Sequence, residues 1–266
     1  MTRRSFVCLA SAPFLHAESS QDRGRKLIDD TVEALGGGAF RAMNNRFATG
    51  RAYSFYREQM SGLSIARIYT QYRSRPQPAP VAFFGIREKQ IFGKKQESSV
   101  LFREDQGFDV TFRGARPMAD ALVARFKDST LHDFFYLLRQ RLGEPGLGFE
   151  SRGLEVLENQ QVEAVDVFDT DQRNVTVYLS RSTHLPVSQK FYRREPITRD
   201  RLEEVTRWSK YRDIGGGVMW PLDVQRERDT EKVFELYAET VTINNNFSES
   251  LFALPSGIKI LKKESS

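Results

Sequence analysis

The chain is poor in the residue types that bind metals and form covalent cross-links. Its 266 residues include one cysteine, Cys8, and three histidines. Cys8 lies in a segment that we expect to be removed on export, so the mature chain can form neither a disulfide nor a thiolate metal site. Val7 before it is not the small residue of a bacterial lipidation signal, so we expect no lipid anchor. The formal net charge of +5 is small and gives little support for a polyanionic partner.

The first seventeen residues differ from all that follow. Arg3 and Arg4 precede an apolar run, Phe6 to Leu15, and the small residue Ala17 closes the segment. This layout is typical of a secretory signal peptide and is too short for a membrane span. No later segment reaches the roughly 18 uninterrupted apolar residues that a spanning helix needs.

We therefore expect residues 1–17 to be a signal peptide and residues 18–266 to form a single domain in the periplasm. Thr2 to Val7 resembles a twin-arginine export signal. An ordinary signal that contains two arginines by chance, and a buried first helix, are the alternatives.

The sequence contains none of the short motifs that hold nucleotides or catalytic zinc, and we predict no metal, no cofactor and no enzymatic activity. Residues 62–66 match part of a hydrolase nucleophile elbow, but glycine is required at Ala66 and the pattern predicts a strand. The mature chain keeps His132 and His184, and no nearby motif supplies the rest of a catalytic triad. An unrecognised hydrolase that uses Ser64 or His132 is the alternative.

Basic and aromatic residues are interleaved at Arg67, Tyr69, Tyr72, Arg73 and Arg75. Platforms for single-stranded nucleic acid use such a pattern. Predicted export and the acids in neighbouring strands argue against this function, so we expect no nucleic-acid partner.

The hydrophobic spacing changes early from helical to alternating. Residues 23–35 form one apolar stripe that glycines 36–38 end, and a short helical turn at Phe40–Met43 follows. Beyond Phe47, short segments of period two are separated by Gly, Pro and charged turns. This pattern predicts antiparallel hairpins and a mainly β (α+β) fold with one sheet.

Residues 117–142 interrupt the strands with helical spacing. In the strand before them, Phe108, Val110 and Phe112 alternate with polar residues and share one face. An apolar face of this size must be covered. We expect the inserted helices to cover it.

Several short motifs carry a resemblance to a known family. They are Ala34-Leu35-Gly36-Gly37, Trp208-Ser209-Lys210-Tyr211-Arg212-Asp213-Ile214-Gly215-Gly216, Trp220-Pro221, Val241-Thr242-Ile243-Asn244 and Leu251-Phe252-Ala253-Leu254-Pro255. In their order along the chain these motifs resemble the LolA-like outer-membrane lipoprotein carrier family, and the similarity covers most of residues 22–257.

The resemblance implies an open half-barrel of about eleven strands whose concave apolar face is plugged by the N-terminal and inserted helices. It also implies that acyl chains of a lipid or lipoprotein bind between sheet and helices. The family's carrier latches its lid with an arginine, and the sequence does not assign this role among Arg46, Arg51 and Arg57.

From these observations we predict a periplasmic carrier, monomeric, that takes a lipid or acylated lipoprotein and exchanges it with an envelope protein. The residues predicted to line its cavity are Phe108, Val110, Phe112, Phe134, Phe135 and Leu138. An envelope scaffold or sensor with a permanently filled interior is the first alternative. It predicts that these side chains are ordinary core residues.

Overall fold

The structure is a computed structural model that describes residues 18–74, 84–95, 98–103, 105–195 and 198–263. The predicted signal peptide, residues 1–17, lies outside the described residues. The strands are β1 Asn45–Tyr56, β2 Gln59–Tyr72, β3 Ile86–Phe92, β4 Ser98–Arg103, β5 Gln106–Thr111, β6 Gly114–Pro117, β7 Gly148–Leu157, β8 Gln160–Phe168, β9 Asn174–Ser180, β10 Pro186–Arg194, β11 Arg201–Asp213, β12 Met219–Arg228 and β13 Glu231–Ile243.

These 13 strands form one antiparallel sheet that does not close, in the order β6-β5-β4-β3-β2-β1-β13-β12-β11-β10-β9-β8-β7. The sheet is therefore two meanders joined side by side, and the joint is the pairing of β1 with β13. Ala48 lies opposite Val241 and Gly50 opposite Ala238, with a register shift between Thr49 and Gly50. A Cβ atom on Gly50 would collide with the carbonyl oxygen of Tyr237, so the joint needs glycine at this position.

Two helices precede the sheet and two are inserted between its meanders. They are α1 Ser20–Ala34, α2 Gly37–Ala42, α3 Asp120–Leu131 and α4 Phe134–Tyr136, which continues into a π-helical turn, Leu137–Arg141. The hydroxyl of Ser19 caps α1 by accepting a hydrogen bond from the main-chain N–H of Asp22 at 3.0 Å. None of the described helices is long and apolar enough to cross a membrane.

One face of the sheet carries Ala48, Phe191 and Trp208, and we call it the inner face. The helices pack here, and α1, α4 and the π-helical turn share one apolar cluster with the inner-face residues. The N–H of Phe134 donates to the buried side chain of Gln189 at 2.8 Å, which fixes the start of α4 on β10. The open antiparallel sheet with helices filling its inner face confirms the predicted fold class.

The opposite, outer face is covered at the β6 end by the C-terminal residues 247–261, to which the sequence assigned no helix or strand. A 3₁₀ helix, Glu249–Phe252, lies in this segment. Phe252 joins Leu101 and Phe108 in a second apolar cluster. The N–H of Leu261 donates to the carbonyl of Ala115 at 2.8 Å, so the segment is tied to β6.

This cover corrects one expectation. The inserted helices do not cover the face of Phe108, because α3 lies on the other side of β5. Phe126 of α3 stacks on Phe102 with the ring centroids 3.6 Å apart. A Cβ atom on Gly107 would lie 3.0 Å from Val123. The absence of a side chain at Gly107 therefore lets α3 pack closely against β5. Alternation shows which residues share a face but not which face receives the helices.

Candidate functional site

Three of the residues predicted to line a cavity are core residues of the inner face. Phe134, Phe135 and Leu138 are at most 4% exposed. Phe135 packs between two tryptophans, with its ring centroid 5.1 Å from that of Trp208 and 4.6 Å from that of Trp220. The plug formed by α4 is tightly packed at this point.

The other three predicted residues lie elsewhere. Phe108 and Val110 belong to the outer-face cluster with Phe252. Phe112 follows the end of β5 in the turn to β6 and is 89% exposed, so it lines no interior space. The structure therefore does not bring the six predicted residues together around one cavity, and ligand binding by any of them stays a prediction.

A hollow does exist beside the plug. It has a volume of about 240 Å³ and lies between α3, the residue that caps α4, and the inner face of β10 to β13. We call it the inner cavity. Phe191, Val233 and Phe234 form its apolar wall. The His132 ring stacks on Phe191 at 4.3 Å, so this wall is backed by the core.

The apolar wall continues along the inner face. Ala52, Ala66 and Leu236 form a small buried cluster there, against which half-buried side chains of the neighbouring strands pack, namely Ile68, Phe92, Val224 and Phe234. We call these seven residues the inner-face patch. Phe234 belongs to both features and connects the patch with the inner cavity.

The rest of the cavity wall is charged. Glu204 accepts ion-pair contacts from Arg193 at 2.7 Å and from Arg228 at 2.9 Å. Burial raises the pKa of Glu204 above its usual value even though nearby arginines oppose the shift. Burial likewise raises the pKa of Asp133, whose carboxylate caps α4 by accepting from the N–H of Tyr136 at 2.9 Å.

Sequence reasoning missed this charged wall. Charged residues usually lie outside, so the sequence gives no reason to place Arg226 and Arg228 at an interior wall. Their spacing of two does place both on one face of β12, where Arg226 lies beside Thr206 and Arg228 beside Glu204. Nothing in that spacing shows that the face is the inner one.

A wider depression of about 450 Å³ lies between α2 and the π-helical turn, where Arg41, Leu138 and Arg139 contribute to its lining. None of the described residues that line it belongs to a strand of the sheet.

Of the three arginines considered for a latch, only Arg46 points to the inner face. Its guanidinium lies 4.6 Å from the ring of Trp220, and it donates to Thr70 at 3.3 Å. Arg51 lies on the outer face and pairs with Glu239. Arg57 lies in the turn after β1.

The residues considered for hydrolysis are not assembled into a catalytic site. Ser64 lies within β2, and its hydroxyl accepts from the N–H of Gly93 at 2.9 Å. His132 ends α3 and bonds through Nδ1 to the carbonyl of Asp128 at 2.8 Å. No group of three or more metal-binding side chains occurs in the described part of the chain.

A scan against protein-family models finds no match, and a search of curated proteins finds no significant relative. Solved structures do match. A domain from Vibrio parahaemolyticus described as an outer membrane lipoprotein-sorting protein has a TM-score of 0.56 at 13% identity, covering 88% of this chain and 97% of that one.

Two further crystal structures are similar over a comparable length. A DUF1329 family protein from Desulfovibrio piger has a TM-score of 0.56 at 10% identity, covering 86% of this chain and 96% of that one. A LolA superfamily protein from Nitrosomonas europaea has a TM-score of 0.51 at 9% identity, with the same coverage of 86% and 96%. The chain therefore has a LolA-like fold.

Proposed function

We propose that this chain, on its LolA-like fold, is a non-catalytic binding or carrier protein for an apolar ligand, a lipid or a lipoprotein acyl chain. The predicted signal peptide supports a periplasmic site of action, with one domain following residue 17. There an envelope protein would deliver or receive the ligand.

The observation that carries the proposal is the inner cavity together with the inner-face patch. The sheet turns apolar side chains inward, and α4 packs in the main core, whereas Ala52, Ala66 and Leu236 of the patch form a separate cluster on the same face. Half-buried apolar side chains beside a hollow are the usual setting of an apolar ligand.

The energetics suit a ligand that must also be released. Burying an acyl chain contributes about 0.8 kcal/mol per CH₂ group, or about 12 kcal/mol gross for sixteen carbons. Association costs about 4–15 kcal/mol, which offsets much of this gain.

The inner cavity is smaller than the roughly 300–1,000 Å³ of common ligand pockets. A bound chain therefore extends over the patch or displaces α3, in which Val123 is the only buried residue among those described.

The test is binding of the neutral dye Nile red, followed by fluorescence, in wild type and in two matched variants of β13. Phe234→Ala removes a side chain shared by cavity and patch, and we expect about tenfold weaker binding from the lost apolar contact. Tyr237→Ala alters the outer face of the same strand and should bind as wild type does.

Native mass spectrometry of the purified mature chain supplies an independent readout. We expect lipid to remain bound through purification. Absence of any such lipid, together with no binding of Nile red by a chain that melts cooperatively, would overturn the proposal.

A second candidate function is favoured by the tight packing of Phe134, Phe135 and Leu138. A scaffold or sensor with a permanently filled interior needs these side chains only as core. It predicts that Phe234→Ala and Tyr237→Ala behave alike, with no lipid bound to either, and that Phe135→Asp unfolds the chain in a thermal melt.

A further inference from the structure

The wall of the inner cavity has a surplus of positive charge. Its ionisable side chains are Arg125, Arg193, Arg226, Arg228, Asp133 and Glu204. Four of these are cationic and two are anionic. A cavity that had to hold only hydrocarbon would gain nothing from charged walls, because apolar ligands contact apolar surface best.

Both carboxylates are already engaged. A single oxygen of Glu204 accepts from Arg193 and from Arg228. Asp133 Oδ1 accepts from the N–H of Tyr136. The acids therefore neutralise part of the wall and leave Arg125 and Arg226 without a carboxylate within ion-pair distance among the described residues.

Two guanidinium groups of the wall remain available to a ligand. Arg125 and Arg226 make no hydrogen bond or ion pair with the described residues. The guanidinium carbon of Arg226 lies 5.7 Å from the ring centroid of Phe234, so charge and apolar surface adjoin. Arg193 Nε is buried and has no hydrogen-bond partner in the part of the chain that the structure describes. A buried donor without a partner is costly unless a ligand satisfies it.

We infer that the inner cavity takes the anionic head group of an amphiphile, a carboxylate or phosphate, while its hydrocarbon chain lies on the inner-face patch. The inference rests on the proposed function and specifies its ligand. Arg125 and Arg226 bind the head group by charge-assisted hydrogen bonds, and Phe234 contacts the first part of the chain.

The experiment compares three probes of equal chain length, dodecanoate, dodecyl phosphate and dodecanol, by displacement of Nile red at about pH 8, where the carboxylate is ionised. Wild type should bind the two anions at least about tenfold more tightly than the alcohol. The double variant Arg125→Gln/Arg226→Gln should lose this preference and keep its affinity for dodecanol. Arg51→Gln, on the outer face, should keep the preference.

Each contrary outcome has a distinct meaning. Equal affinity of wild type for dodecanol and dodecanoate overturns the head-group inference but leaves apolar binding standing. Equal affinity for inorganic phosphate and dodecyl phosphate overturns it in favour of a site for small anions. Failure to bind Nile red at all overturns the proposed function itself.

Discussion

One buried ion pair ties the end of the inserted helices to the second meander. Arg141 of the π-helical turn contacts Asp169 at 2.8 Å, and both side chains are at most 9% exposed. Asp169 also accepts from Arg173 at 3.1 Å. Burial alone would raise the pKa of Asp169, but the hydrogen bonds from Arg141 and Arg173 outweigh it, so the pKa lies below its ordinary value.

We predict that Asp169→Asn lowers the free energy of unfolding by about 2 kcal/mol at neutral pH, because it weakens the charge-assisted hydrogen bonds that Asp169 accepts from Arg141 and Arg173. Glu144, 2.6 Å from Arg141, remains as the other carboxylate partner of that buried guanidinium. A group with a lowered folded pKa stabilises fully above its unfolded pKa of about 3.9, and the contribution is lost as the pH falls through the folded value. The difference between wild type and variant should therefore be constant above about pH 5 and shrink in more acidic solution. Urea unfolding across this range measures it.

The control is Asp171→Asn, which removes an exposed carboxylate that pairs with Arg173 at 2.7 Å. Exposed pairs contribute less than about 1 kcal/mol. If the two variants lose equal stability, or if the effect of Asp169→Asn does not change with pH, the ion pair does not have the role described.

At the scale of elements, the C-terminal segment is a structural part of the sheet's cover. Phe252 is 2% exposed in the outer-face cluster. Lys263 beyond it pairs with Asp120 at the start of α3 at 2.7 Å. The segment therefore connects the outer face at β6 with the inserted helices.

We predict that Phe252→Ala lowers the free energy of unfolding by about 3–5 kcal/mol, since it leaves a cavity in this cluster. Phe112→Ala is the matched control, because that ring is 89% exposed and should contribute within about 0.5 kcal/mol. Equal effects in thermal or urea unfolding would show that the segment does not pack as described.

Alternation along the chain was enough to predict most strands and their hairpin order. In Asn174–Ser180, for example, apolar and polar residues alternate over the length of the observed strand β9. Two features had no periodic signal, the four-residue strand β6 and the C-terminal cover, because short segments stabilised by tertiary contacts carry little local information. The candidate site was missed for a related reason. Distant segments determine which face of an alternating strand is covered. In β5, α3 covers the face of Gly107, where the absence of a side chain leaves room for it.

At the scale of the whole molecule, one joint holds the two meanders together. Gly50 lies at its register shift. The side chain of Asn45 donates to the carbonyl of Asn245 at 2.8 Å across a separation of 200 positions. Residues of both meanders, such as Tyr72 and Val177, also share the inner-face core.

We predict that Gly50→Ala lowers the free energy of unfolding by about 1–3 kcal/mol, because the added methyl group forces the β1 and β13 backbones apart. Because both meanders share one core, tryptophan fluorescence and circular dichroism should report the same midpoint. Gly38→Ala, in α2 with no atom near the added Cβ, should be neutral or stabilising. Separate midpoints for the two probes in the Gly50 variant would contradict the shared core.

The joint has a consequence for biosynthesis. β1 is made before the other described strands, yet its partner on one side is β13, the last of them in chain order. Until β13 is available, the first meander presents an unpaired edge and bare apolar surface, which favour aggregation. The nascent chain therefore cannot complete its sheet before β13 has been made. Its topology delays stable folding to that point.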